Sequence, residues 1–214
     1  AEITFEQMFN QYLDRHAKSH KKSWKQDSAS YDRHLKALGK RKLSNIKRSD
    51  IQKLHVSIGE NSPYYANRIL ALLSVIFNKA QEWGWEGDNP ANKIQKFREK
   101  SRDRFLQGDE LPRFFKSLSA ETNDTARDFF LIALLTGARR TNVLSMQWDQ
   151  INLARKTWDI PETKNGTSQT VPLVEEAIEV LQDRIERSGS EWVFPGSGKT
   201  GHLVEPKKAW QRIL

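Results

Sequence analysis

Between Gln95 and Arg104 the chain reads Gln-Lys-Phe-Arg-Glu-Lys-Ser-Arg-Asp-Arg, with Phe97 as its single apolar residue. A stretch so polar has almost nothing to bury, so it does not run through the middle of one core. It divides the 214 residues into two parts of about 100 each, a common domain size. The chain is therefore expected to be multidomain: residues 1–97, a basic linker over 98–104, and residues 105–214. Halves of this length bury roughly two thirds of their unfolded surface and need no staple. There is no cysteine, which removes disulfides, thiolate metal ligands and a thiol nucleophile together.

Charge divides at the same place. Residues 1–102 carry 20 Lys and Arg against 11 Asp and Glu, and the remainder carries 15 against 16. All the excess positive charge sits in the first half. Such a half attracts polyanions, of which nucleic acid is the commonest in cytoplasm, although a solvated lysine-rich face has the same composition. An anionic membrane fits less well, because no helix sets a strong Trp/Phe face against a basic one. There is no apolar run of about 18 residues, and Ala1-Glu2-Ile3-Thr4-Phe5 is no signal peptide. A cytoplasmic, soluble protein is expected. The start at Ala1 and the end inside an apparent helix, Lys207 to Leu214, read as a trimmed chain.

The first half spells four or five helices. Thr4-x-x-Gln7 is a capping box ahead of Phe5, Met8, Phe9, Tyr12 and Leu13. A second helix runs from about Trp24 to Gly39 with Tyr31, Leu35 and Leu38 on one face, and Ser49-x-x-Gln52 caps a third. Ser62-Pro63 opens the longest, whose apolar face runs from Ile69 through Phe77 to Trp83 before Gly84 stops it. The second half changes character. Helices are expected over Gly108 to Leu118, Thr125 to Thr136, Arg140 to Trp148 and around Ala177 to Ile185. Three short strands are expected over Asp149 to Leu153, Thr157 to Pro161 and Thr170 to Leu173, with Lys164-Asn165-Gly166 as the hairpin turn before the last.

The stretch that carries chemistry is Leu134-Leu135-Thr136-Gly137-Ala138-Arg139-Arg140-Thr141-Asn142-Val143-Leu144. An apolar helix stops at glycine, and two arginines follow at a new helix start. This arrangement aims guanidinium groups and free N–H donors at an anion, which by itself says only that a phosphate site is feasible.

The same stretch closely resembles the first conserved box of the tyrosine recombinases, the phage-integrase-like enzymes, where a Thr-Gly-x-Arg leads into a helix. The catalytic arginine of the resemblance falls on Arg139, with Arg140 as the register alternative. The position that the family fills with a carboxylate falls on Asn142, a departure from the pattern. The likeness continues through Trp158-Asp159-Ile160-Pro161 and Thr170-Val171-Pro172-Leu173, and the family's hairpin lysine falls on Lys164. In the first half Leu38-Gly39, Asp50-Ile51, Ala80-x-x-Trp83-Gly84 and Asn89-Pro90-Ala91 look like its helical core-binding domain. Essentially the whole chain is covered.

The resemblance implies a mainly α, multidomain fold: a helical (SAM-like) core-binding domain, then an α+β catalytic domain with a small antiparallel sheet, truncated at its C-terminus. It implies site-specific DNA recombination or integration, in which a tyrosine hydroxyl attacks a phosphodiester and expels the 5′-hydroxyl. Arg139 would hold the charge that builds on the phosphoryl oxygens, and Lys164 would protonate the leaving group. The partner would be double-stranded DNA carrying a recombination site, with self-association into a tetramer on it. No cofactor, metal, membrane or small-molecule substrate is implied. DNA contacts fall on Lys21, Lys22, Lys25 and Arg33, and on Tyr64, Asn67 and Arg68 at the start of the long helix.

Two parts of the family pattern are absent. The tyrosines are Tyr12, Tyr31, Tyr64 and Tyr65, so none follows Trp148. His202 has no arginine three positions on and is an ordinary loop residue. The nucleophile is therefore expected beyond Leu214, and the chain as written should not cleave DNA. The alternative is a non-catalytic, truncated DNA-binding relative. Gly196-Ser197-Gly198-Lys199-Thr200 resembles the tail of a phosphate loop, but Val193 stands where its first glycine should be. His16 and His20 have a metal-binding spacing without a third ligand nearby.

Overall fold

The computed structural model describes residues 2–101, 103–162 and 166–214. The chain divides into two compact units, Ala1–Asp103 and Arg104–Leu214. The described residues are mainly helical, with one three-stranded antiparallel sheet among them.

The first unit starts at the Thr4 capping box, closed on both sides by Gln7. Helix α1 (Phe5–Tyr12) buries Phe5, Met8, Phe9 and Tyr12. It continues through a wide π-type turn, Leu13–Ala17, into a short α2 (Lys18–His20). The second expected helix comes out in three pieces: α3 (Trp24–Ser30), another π turn over Tyr31–Leu35, and a 3₁₀ turn over Lys36–Leu38. The π turn presents Tyr31 to the core, where it stacks on Phe9 at 4.3 Å. Gly39 then leaves room for the Tyr31 hydroxyl, which a Cβ there would meet at 2.6 Å. Helix α4 (Arg48–Asn61) begins ahead of the expected Ser49 cap. Lys47 is the N-cap, and the Asp50 carboxylate, at the third helical position, accepts its amide at 2.8 Å. Helix α5 (Pro63–Glu82) has Pro63 in its first turn and buries Ile69, Leu70, Leu73, Ile76 and Phe77. These side chains make one core with those of α1 and α4.

In the second unit, α6 (Leu111–Ser119) and α7 (Asp124–Thr136) are followed by a five-residue α8 (Arg140–Leu144). Trp148 belongs to a separate 3₁₀ turn rather than to that helix. Strands β1 (Ile151–Asn152), β2 (Thr157–Ile160) and β3 (Gln169–Pro172) lie in the order β1-β2-β3. Trp158 faces Ile151 on one side and Val171 on the other. The alternation along β2 buries Trp158 and Ile160 and turns Asp159 outward. Helices α9 (Glu175–Glu186) and α10 (Lys207–Ile213) complete the unit. Its main core joins Phe129 and Ile132 to Val143, Leu144, Trp158, Leu181 and Phe194.

Candidate functional site

Helix α7 ends at Gly137, whose φ of +60° is a left-handed conformation natural to glycine. Its amide closes back on the Ala133 carbonyl. The Thr136 hydroxyl donates to the Ile132 carbonyl at 2.7 Å and accepts the Ala138 amide at 3.3 Å. The chain then turns extended at Arg139 (φ −59°, ψ 134°) and re-enters helix at Arg140. The Arg139 carbonyl takes the Asn142 and Val143 amides at 2.8 and 3.2 Å. Val143 and Leu144 are buried in the core, which pins α8 from below. The elbow is thus fixed by its own backbone and by two buried side chains. The guanidinium it carries is fixed by neither.

Arg139 is exposed, and among the described residues its side chain has no hydrogen-bond or ion-pair partner. Arg140, also exposed, meets Glu205 at 3.5 Å. It also lines an apolar hollow of about 400 Å³ with Phe114, Phe130, Leu134 and Trp210. That hollow has the wrong chemistry for a phosphate. Because α8 has only five residues, an anion at this elbow would be held by the guanidinium and not by the helix end.

Arg184 and Arg212 of the same unit, by contrast, are committed. Arg184 donates to Asp128 at 2.9 Å, to the Val193 carbonyl at 3.0 Å and to Thr125 at 3.4 Å, and lies over the Phe194 ring. Asp128 is 3% exposed and also takes Arg127 at 3.0 Å. Arg212 reaches both oxygens of Glu121, at 3.0 and 2.7 Å. That bidentate contact holds the Glu121 carboxyl below the usual carboxylate range. Sequence reading had no signal for these pairs, whose partners stand 56 and 91 residues apart. Lys164 falls in the connection between β2 and β3 and lies outside the described residues.

In the first unit the expected DNA-contact residues separate into two groups. Lys22, Lys25, Arg33 and Arg68 are exposed. Ser30 meets the Tyr65 hydroxyl at 3.1 Å, and His34 packs on the Tyr65 ring at 5.2 Å, so the Trp24–Leu35 stretch and the start of α5 are neighbours. Lys21, Asn67 and Tyr64 are occupied. Lys21 pairs with Asp27 at 2.5 Å beside the buried Tyr12 hydroxyl, which itself donates to Asp27 at 2.8 Å. Burial, with Asp27 adding to it, pushes the Tyr12 phenol well above its ordinary range. Asn67 is 5% exposed, and its amide is saturated: it donates to the Phe97 carbonyl and Glu99, and accepts from the Phe97 amide and His55. Every lone pair and proton of this amide is used inside the unit, so in this structure Asn67 is held as a structural group. The Tyr64 hydroxyl holds both backbone groups of Lys100. Glu99 and Lys100, placed in the linker by composition, are therefore bonded to the first unit.

Among the described residues, no group of three or more His, Asp or Glu side chains is placed to hold a metal ion. No described helix is long and apolar enough to cross a membrane.

Residues 104–213, which include the whole Thr136–Asn142 elbow, match the model of the phage integrase family. The chain belongs to that family. The resemblance to the tyrosine recombinases seen in the elbow and hairpin residues is thereby established for the second unit. Among curated phage integrase relatives, the shufflon-specific DNA recombinase of Escherichia coli is 36% identical over 141 residues, covering 62% of this chain and 36% of that protein. A lambda integrase tetramer bound to a Holliday junction shares the fold with a TM-score of 0.78 at 18% identity, over 99% of this chain and 65% of that one. The Tn1549 transposon integrase in complex with a circular intermediate DNA gives 0.80 at 16% identity, over 95% and 74%. This chain therefore spans about a third of the curated relative and about two thirds of the lambda integrase chain.

Proposed function

We propose that this chain is the DNA-binding and partial catalytic portion of a site-specific recombinase acting on double-stranded DNA. Its reaction is phosphodiester transesterification by a tyrosine supplied from beyond Leu214. The tyrosine oxygen attacks phosphorus, the bond to the 5′-oxygen breaks, and the enzyme becomes joined to the 3′-phosphate. Arg139 faces the non-bridging oxygens, where a bidentate and always protonated group opposes the charge that builds in the transition state. Lys164, outside the described residues, gives its proton to the departing 5′-oxygen. Duplex DNA lies on Lys22, Lys25, Arg33 and Arg68, and four copies assemble around a recombination site in the cytoplasm.

The observation that carries this reading is the uncommitted Arg139 on a rigid elbow, inside the span that matches the family. A structural arginine would be spent on a carboxylate, as Arg184 is. The structural neighbours, two integrases held on DNA, support the choice of substrate. The chain's share of its relatives, together with the lack of a tyrosine after Trp148, supports a nucleophile outside these residues.

The test is a trapping assay with a nicked duplex site. The 214-residue chain should bind the duplex and form no covalent adduct. The full-length protein should form one, and its Arg139→Ala variant should bind with nearly unchanged affinity while adduct formation falls by about 10³ or more. An adduct formed by the 214-residue chain alone would refute the assignment of the nucleophile. A normal adduct yield in the Arg139 variant would refute the role given to that arginine.

A further inference from the structure

Composition makes 95–104 a loose tether, yet its first half sits in a built seat on the first unit. Gly59, on α4, is buried, and a Cβ there would fall inside the Phe97 ring. The absence of a side chain is therefore what admits the ring. Across the same notch, Phe97 stacks on the buried His55 ring at 4.5 Å and 22°. On α5, the Asn67 carboxamide takes the Phe97 amide at 3.0 Å and gives to the Phe97 carbonyl at 2.9 Å, pairing that residue as a neighbouring strand would. Its second N–H goes to Glu99 at 2.7 Å. Both contacts to Phe97 together set the orientation of the amide, so its oxygen faces His55 Nε2 at 3.0 Å and His55 must carry a proton there. One turn earlier, Tyr64 accepts the Lys100 amide at 2.8 Å and donates to the Lys100 carbonyl.

We propose that Gly59, His55, Asn67 and Tyr64 form a latch that makes residues 97–100 a fixed part of the first unit, so that the tether to the second unit begins only after Lys100. Its parts come from two helices and serve one strap. A strap with solvated backbone has no use for a notch, a ring stack and a saturated buried amide. The latch sets reach: releasing four residues would lengthen the tether by roughly 13 Å when extended. This inference does not depend on the recombinase reading, because it concerns only contacts inside the first unit.

Residue-resolved hydrogen exchange on the complete chain tests it. The Phe97 and Lys100 amides should exchange at least about tenfold more slowly than those of Lys96 and Arg98, whose amides have no partner among the described residues. Gly59→Ala, which favours the α4 helix by propensity while displacing the ring, should bring Phe97 to the Arg98 rate and leave the Ile69–Phe77 amides slow. Tyr64→Phe should free Lys100 alone. Asn67→Ala should free Phe97, and if it also loosens α5 then Gly59→Ala decides. Equal exchange at Phe97 and Arg98 in the unmodified chain would overturn the latch. So would Phe97 protection that survives in Gly59→Ala.

Discussion

Arg184 spends its guanidinium on Asp128, Thr125 and a carbonyl, while Arg139, on the elbow after α7, spends nothing on any described residue. The contrast predicts opposite consequences for the same substitution chemistry. Asp128→Ala leaves Arg184 buried without its counter-charge, and loss of one member of a buried pair costs about 3–5 kcal/mol. Urea unfolding of the second unit should show that loss. Arg139→Ala removes an exposed side chain and should move the same midpoint by no more than about 0.5 kcal/mol. A loss of several kcal/mol at Arg139 would make it a structural residue. A second comparison separates Arg139 from Lys164 in the full-length protein. A site with sulfur in place of the 5′-oxygen expels a leaving group that needs no proton. It should restore cleavage to Lys164→Ala and leave Arg139→Ala inactive. Rescue of both, or of neither, would mean these two roles are misassigned. The elbow itself was legible in the sequence, because Thr-Gly-x-Arg after an apolar helix is a local signal. Whether its arginine met a carboxylate was not legible, since Arg140 finds Glu205 across 65 residues.

Among the elements, those with strong local signals came out as read: the Thr4 capping box, the Pro63 start of α5 and the alternating strand β2. The misreadings have physical causes. Two π turns, over Leu13–Ala17 and Tyr31–Leu35, interrupt stretches whose apolar residues are spaced as in one continuous α-helix, so that spacing carries no sign of them. Helix α4 starts ahead of Ser49 because Asp50, at the third helical position, accepts the amide of the N-cap Lys47 and pairs with Arg41 at 2.8 Å. Helix α10, packed through Ile213 and Trp210, is also tied to Glu121 by Arg212, and that contact gives it a pH dependence. The Glu121 carboxyl is depressed in the folded chain. Its contribution is therefore present at neutral pH, above the unfolded value, and is lost as pH falls through the folded one. Acid titration followed by Trp210 fluorescence should show α10 loosening below the usual carboxylate range, and Glu121→Gln should remove that step. A step of equal size in the glutamine variant would exclude Glu121 as its source.

At the scale of the molecule, each unit has its own apolar core, and the first is built from residues between Ile3 and Phe97. Residues 1–103 prepared alone should therefore melt cooperatively by circular dichroism and bind duplex DNA. Affinity should fall steeply with salt, and Lys25→Ala should reduce the slope of log K against log salt by about one unit. An unchanged slope would remove Lys25 from the interface. The two-part division, the helical first half, the small sheet and the family were all determined by the sequence itself, because they rest on composition, on spacing and on motifs a few residues long. Tertiary structure alone decided which polar residues were free to act. Asn67 sits near the start of α5 beside the exposed Arg68, and its fate depended on Phe97 and Glu99, 30 and 32 residues away. Glu99 and Lys100 carry the composition of a linker, and a glycine notch on α4 and a tyrosine on α5 hold the strap they belong to. Such pairings have no period and no local signature: a hydrogen bond depends on where two distant backbones are brought, and packing of the two apolar cores decides that.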